Sequence, residues 1–442
     1  MSETRKILSL AWPLIIGQLG QMMLGVADTV MVGALGVIEL AALTFASLIF
    51  YVPFVFGMGA LTAVSIRTSS ARGSGDAQTA RSVCRNGFYL ATAIGVALFL
   101  LSLGLLPLLD RFGQEPEVAE RASGYFVLIM ASGIPALMGI ALKNHADAMD
   151  HPWPAFWISF CGILLNIGLN WVMIFGKLGC PALGLEGAGW ATLISRTMIM
   201  LATLVWFMRS KKLDQWVPVR WFRQPDCHEL RRLFILGWPG ALQTLAEVGA
   251  FSFAGVLIGR YGAESLAAHQ IALTCAATAF MVPLGLSMAL TVRMGEAFGS
   301  LDRARMRRIS KCGWLLSLGF SGFSALIFLT CGETLASWFI DKEEVIAMAT
   351  GLLAIAGVFQ IVDGLQVASG GMLRGMQDVR VPAGLGIASY WLAAIPLALF
   401  FADVVGLEEK GIWWGLAAGL GVAAIALGRR LLGKLREREM VG

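Results

Sequence analysis

AWPLIIGQLGQMMLGVADTVMVGALG, residues 11–36, returns as GWPGALQTLAEVGAFSFAGVLIGRYG, residues 237–262. At an offset of 226, Trp12-Pro13 falls on Trp238-Pro239, Gly33 on Gly259, Gly36 on Gly262 and Ala41 on Ala267. After a four-residue slip, Val52-Pro53 matches Val282-Pro283. The offset returns to 226 at Asp76 and Asp302, and at Arg81 and Arg307. Asp150 and Pro154 match Asp378 and Pro382 at 228. Matches this widely spaced do not arise readily from apolar composition, so the chain reads as one unit duplicated.

Each quoted stretch is long enough and apolar enough to cross a bilayer. Such stretches recur along the 442 residues, at about 8–34, 40–66, 87–109, 122–142, 153–175, 187–208, 233–258, 266–292, 313–331, 345–372, 382–402 and 411–428. Only 14% of residues are charged, against about one quarter in soluble domains. The expected fold is an all-α integral membrane protein, twelve transmembrane helices in two parallel six-helix repeats. The expected division is an N-terminal bundle at 1–208, a basic cytoplasmic linker at 209–232 and a C-terminal bundle at 233–442. Parallel repeats related by an axis along the membrane normal are a transporter design.

Lys and Arg are distributed unevenly between alternate loops. Twenty-seven fall on the side that carries both termini and six on the other, with Arg196 inside a helix. By the positive-inside rule both termini are cytoplasmic. The net charge of +5 then reports orientation and lipid headgroups, and no nucleic-acid partner is needed to explain it. The first apolar run is too long for a signal-peptide core and is read as a retained helix. The seven cysteines form no C-x-x-C pair, so neither a disulfide framework nor a metal site is expected.

Three carboxylates stand alone in apolar runs. Asp28 is the only charge between Lys6 and Glu39, Glu247 between Arg232 and Arg260, and Asp363 between Glu344 and Arg374. An ionised carboxylate in hydrocarbon costs several kcal/mol, so it faces a wet cavity or a partner. Each is therefore a candidate site for a cation or a proton. The alternative is an acid neutralised by protonation or by a neighbouring helix. Glu247 lies about 22 Å along its helix from Arg232, near mid-membrane, and Asp28 about 16 Å from Glu39. The acids break the repeat: Glu247 aligns with Gln21, and Asp28 with Ala254.

GVADTVMVGALG, FCGILLNIGLNWVMIFGKLGCPALGLEGAGWATLIS, TLAEVGAFSF and QIVDGLQVASGGMLRGMQDVRVP occur in that order. Together they resemble the multidrug and toxic compound extrusion (MATE) transporters, nearest the NorM-like bacterial branch, over almost the whole chain. The resemblance implies two six-helix bundles in a V around a central cavity, and export of lipophilic organic cations driven by Na⁺ or H⁺. It maps the C-half cation acids onto Glu247 and Asp363. It maps the N-half acid onto Asp28, with polar neighbours Asn166, Asn170 and Thr192.

The residue chemistry fits that mapping, since carboxylates, amide carbonyls and hydroxyls are hard oxygen ligands. Asn166 and Asn170 share a helix face; interhelical hydrogen bonding is their competing reading. Gln18, Gln21, Gln243, Gln270 and Gln360 are cavity candidates, with helix–helix contact as the alternative. His145, Asp147, Asp150 and His151 cluster like a metal site but are read as a wet turn beside Pro152 and Pro154. His269 is read as a satisfied interfacial histidine, with proton transfer as its alternative. Arg196 either snorkels or pairs with an acid such as Asp28.

The expectation is a cation-coupled drug exporter of the bacterial inner or plasma membrane, with Na⁺ favoured over H⁺. Two acids in the C-half and the resemblance to a Na⁺-driven branch carry that preference. The expected partners are organic cations or drugs and the lipid bilayer; no nucleic acid is expected, and the chain is expected to be a monomer. No cofactor is expected beyond Na⁺ or H⁺ as coupling ion. The absence of a Walker loop and of a nucleophile–base motif argues against ATP hydrolysis and an enzyme. A lipid-linked oligosaccharide flippase favours a more cationic cavity. An intramembrane enzyme needs paired catalytic groups at one depth, and a membrane scaffold tolerates loss of all three acids.

Overall fold

The computed structural model describes residues 2–437. Its described residues are helical and turn, with no strand. Twelve helices are long and apolar enough to span a membrane: α1 (Glu3–Gly33), α2 (Val37–Gly73), α3 (Ala77–Leu109), α4 (Pro116–Ala148), α5 (Pro152–Phe175), α6 (Gly184–Arg209), α7 (Cys227–Tyr261), α8 (Ala263–Gly299), α9 (Arg303–Ser337), α10 (Glu343–Gly375), α11 (Arg380–Val404) and α12 (Glu408–Glu437). Each coincides with one of the twelve apolar stretches and extends most of them by several residues into their polar flanks.

The duplication reaches down to the caps. Asp76 begins α3 by accepting from the Thr79 backbone N–H at 2.9 Å. Asp302 begins α9 by accepting from the Arg305 backbone N–H at 2.8 Å. Both satisfy one of the orphan donors of a helix start. The glycines that precede α2 and α8, Gly36 (φ +150°) and Gly262 (φ +111°), hold a conformation that a side chain would strain.

By contacts the chain forms two compact units, Ile16–Ala241 and Met1–Ile15 with Leu242–Gly442. The cuts fall inside α1 and α7, after residues 15 and 241, which are equivalent at the repeat offset of 226. In the first unit α4 packs against α2, α3 and α6. In the second α10, its counterpart, packs against α8, α9 and α12. Close backbone approach places the helix ends: a Cβ at Gly237 would meet the Ala60 backbone, and one at Gly285 would meet Ile15.

The segment between α6 and α7 is more than a charged loop. Leu213 is fully buried, and Val217 is 5% exposed, in a cluster with Ala71, Cys84, Leu142 and Phe207. Arg81 Nε donates to the Gln215 carbonyl at 2.8 Å, and the Asp226 N–H donates to Asn86 Oδ1 at 2.9 Å. The strap is thus docked on the first unit by apolar anchors spaced between its basic residues.

Pro53 and Pro283 lie inside α2 and α8 without ending either helix. In α11 regular helix gives way to wide π turns at Ser389–Ala394 and Phe400–Val404. Pro396 lies between them; it has no N–H to give and its ring crowds the preceding turn, which a widened turn relieves.

Candidate functional site

In the first unit α1, α5 and α6 bring the N-half residues together. Asn170 Nδ2 donates to Asp28 Oδ1 at 2.6 Å and to Asn166 Oδ1 at 3.1 Å. The carboxylate only accepts, so it fixes the orientation of that amide. Asn166 Nδ2 donates on to Ser195 Oγ at 3.1 Å and lies 3.4 Å from Thr192 Oγ1. The Thr192 and Ser195 hydroxyls return their protons to the Ala188 and Ala191 carbonyls of α6. Asn166 and Asn170, one turn apart on α5, therefore face α1 and α6 together. Asn166, Asn170 and Thr192 are all buried, and the Asn170 Oδ1 has no hydrogen-bond donor among the described residues.

Arg196 neither snorkels nor forms an ion pair with Asp28. Its Nη1 donates to Ser132 Oγ at 2.8 Å, and its guanidinium lies 5.2 Å and 5.3 Å from the Phe50 and Phe54 ring centroids. Two aromatic faces and one hydroxyl hold the charge, while Asp28 stays within its electrostatic range.

In the second unit α7 carries Glu247 and α10 carries Asp363. Asp363 is 3% exposed, and its Oδ1 has no hydrogen-bond partner among the described residues. Glu247 lies in electrostatic range of Asp363 and of Arg374. Arg374 Nη2 donates to Ser287 Oγ at 3.1 Å. Among the described residues no ion pair reaches Asp28, Glu247 or Asp363.

The glutamines separate. Gln360 is fully buried, its Nε2 donating to the Ala276 carbonyl at 2.8 Å and its Oε1 unpartnered. Gln243 is 8% exposed and lies against Gly386. Gln18 is half-buried, and Gln21 and Gln270 are exposed.

One sequence expectation needs correction. His145 and Asp147 are not in a wet turn. Both are buried: His145 Nδ1 lies 3.0 Å from Thr68 Oγ1 and Nε2 lies 3.1 Å from the Trp216 carbonyl of the strap, while Asp147 takes Lys143 Nζ at 2.7 Å. His269 is satisfied within the core, with Trp413 Nε1 donating to its Nδ1 at 3.2 Å.

Sequence reasoning missed Tyr390. It is 1% exposed, and its hydroxyl faces Glu247. A signal existed: it is the one tyrosine within the apolar run 382–402, in a chain with only five.

These carboxylates and amides can exchange a proton or coordinate a hard cation. The described geometry provides no nucleophile with an activating base. Comparison with known proteins agrees with a transporter. The MatE family model matches residues 13–172 and 239–400. The two starts, Pro13 and Pro239, are 226 apart, the offset of the internal repeat. A "Probable multidrug resistance protein NorM" of Agrobacterium fabrum is 35% identical over 444 residues, covering 99% of this chain and 95% of its own length. A protein of the same name from Pseudomonas aeruginosa is 35% identical, covering 96% and 88%. An outward-facing MATE family multidrug resistance transporter shares the fold, with TM-score 0.89 and 21% identity over 99% and 97% of the two chains. This chain belongs to the MatE family of membrane transporters.

Proposed function

We propose that this chain is a cation-coupled antiporter that exports lipophilic, often cationic, drugs by alternating access, with Na⁺ as the coupling ion. The relatives named as multidrug resistance proteins support the drug substrate. One observation carries the coupling: Asp363 is a buried carboxylate with an unpartnered oxygen, facing a second carboxylate, Glu247, and among the described residues no cationic side chain forms an ion pair with either. A mobile cation balances that charge. In this reading Glu247 and Asp363 attract the ion in the C-half. Asp28, with Asn166, Asn170 and Thr192, offers a second oxygen-rich site in the N-half. Gln360 and Gln243 orient the surroundings of the first.

The same reading places the protein in the bacterial inner or plasma membrane as a monomer, both termini cytoplasmic. It divides the chain into six-helix bundles at 1–208 and 233–442, joined by the segment 209–232. The basic residues on the terminal side support that orientation.

H⁺ coupling is the second reading, favoured by the proximity of the two acids, which can share one proton. Vesicles loaded with a fluorescent lipophilic cation, with Na⁺ and pH gradients imposed separately, distinguish them. Drug release that saturates with Na⁺ at fixed pH is the expected result. Release indifferent to Na⁺ that follows an imposed pH gradient overturns the Na⁺ assignment.

A further inference from the structure

The Glu247 face of α7 runs along α11 in a register that three contacts define. One turn before Glu247, Gln243 packs at Gly386, where a Cβ would lie 2.7 Å from its Nε2. Four residues on in each helix come Glu247 and Tyr390. Beside them Trp391 Nε1 donates to the Ala246 carbonyl at 3.1 Å. One turn further, Phe251 meets the Tyr390 ring edge-on, centroids 6.2 Å apart at 62°. Residues four apart on a helix share a face, so Tyr390 stands level with Glu247. The π turn Ser389–Ala394 contains it, and such turns recur at functional positions because they redirect one side chain.

Tyr390 buries a hydroxyl where phenylalanine would fill the same space without a polar group to satisfy. Among the described residues that hydroxyl closes no short hydrogen bond. It faces the carboxylates of Glu247 and Asp363.

We propose that Tyr390 determines ion specificity at the Glu247–Asp363 site, its hydroxyl oxygen supplying a neutral hard ligand that Na⁺ requires and a proton does not. Two carboxylates give the site its charge, and a neutral oxygen helps fill the coordination shell that a dehydrated Na⁺ needs. This rests on the Na⁺-coupling reading above.

Tyr390→Phe tests it in two ways. In detergent, Na⁺ raises the thermal midpoint of the unmodified protein, because a ligand that binds the folded state stabilises it. Tyr390→Phe needs about tenfold more Na⁺ for the same rise, the loss of one ligand. In vesicles the Na⁺ concentration for half-maximal drug release rises by about the same factor, while the rate at saturating Na⁺ stays within about twofold. A merely structural role lowers the maximal rate and leaves the Na⁺ half-saturation unchanged. A Tyr390→Phe protein with the unmodified Na⁺ response in both measurements overturns the proposal alone. An unmodified protein that responds to Na⁺ in neither measurement overturns it together with the coupling reading.

Discussion

Asn170 binds Asp28 through a single amide nitrogen 2.6 Å from the carboxylate, and the same nitrogen holds Asn166 at 3.1 Å. One residue therefore ties α1 to a chain of donors ending on the α6 backbone. Asn170→Ala removes a hydrogen bond to a charged group and strands the Asn166 carbonyl. The expected cost is about 2–3 kcal/mol. It is read as a lower thermal midpoint in detergent, and an unchanged midpoint contradicts the network.

Arg67 grips Glu229 in two-point geometry, Nε to Oε1 and Nη2 to Oε2 both at 3.1 Å, with the glutamate side chain 7% exposed. Its counterpart at the repeat offset of 226 is Glu3, which meets Arg305 at 3.4 Å and leaves Oε2 unpartnered. Removing one member of a buried pair costs about 3–5 kcal/mol, because the other charge stays buried. Glu229→Gln should therefore destabilise far more than Glu3→Gln, whose pairing is already incomplete. Equal midpoints for the two variants count against this ranking.

Leu213 anchors the strap and is fully buried against Ala71, Cys84, Leu142 and Phe207. Leu213→Ala leaves a cavity, and substitutions of this kind cost about 2–5 kcal/mol. The strap should loosen first, so limited proteolysis should cut the segment 209–226 sooner in the variant. Identical cleavage rates contradict the docking.

Asp76 lies outside the membrane spans, and its hydrogen bonds to Thr79 hold its carboxyl below the usual aspartate range. A depressed folded-state pKa adds stability that is present above the unfolded value of 3.8 and fades as pH falls through the lower folded value. Asp76→Ala should cost about 1 kcal/mol at neutral pH, a typical cap loss. The gap to the unmodified protein should close in acid. A gap that persists well below the unfolded value argues against the carboxylate cap.

The fold could be read in the sequence because hydrocarbon enforces simple rules. Backbone groups must pair within a helix, so each apolar run became one, and the repeat at Trp12-Pro13 and Trp238-Pro239 marked the two halves. That Asn166 and Asn170 act together was visible because they share a helix face; that they meet Asp28 was implied by the family resemblance and not by spacing. Tyr390 was not read, since its position depends on the π turn before Pro396, which periodicity at 3.6 residues cannot register. Arg196 was ambiguous for a related reason. Which neighbour meets a long side chain is a matter of packing, and Phe50, Phe54 and Ser132 lie far from it in sequence. The strap looked like solvent because Leu213, Trp216 and Val217 are few among many basic residues, and apolar anchors in a short irregular segment have no period. His145 was misjudged with it, since the carbonyl that satisfies it belongs to Trp216.

The coupling claim is tested most directly by Na⁺-dependent drug release from vesicles at fixed pH, for the unmodified protein and for Glu247→Gln and Asp363→Asn. Each amide keeps the shape and loses the charge that attracts the cation. Saturable Na⁺ dependence in the unmodified protein, with at least about a hundredfold loss of release in both folded variants, is the expected result, since a charge contact in a buried site is worth about 3 kcal/mol or more. Release at the unmodified rate in either folded variant contradicts the account.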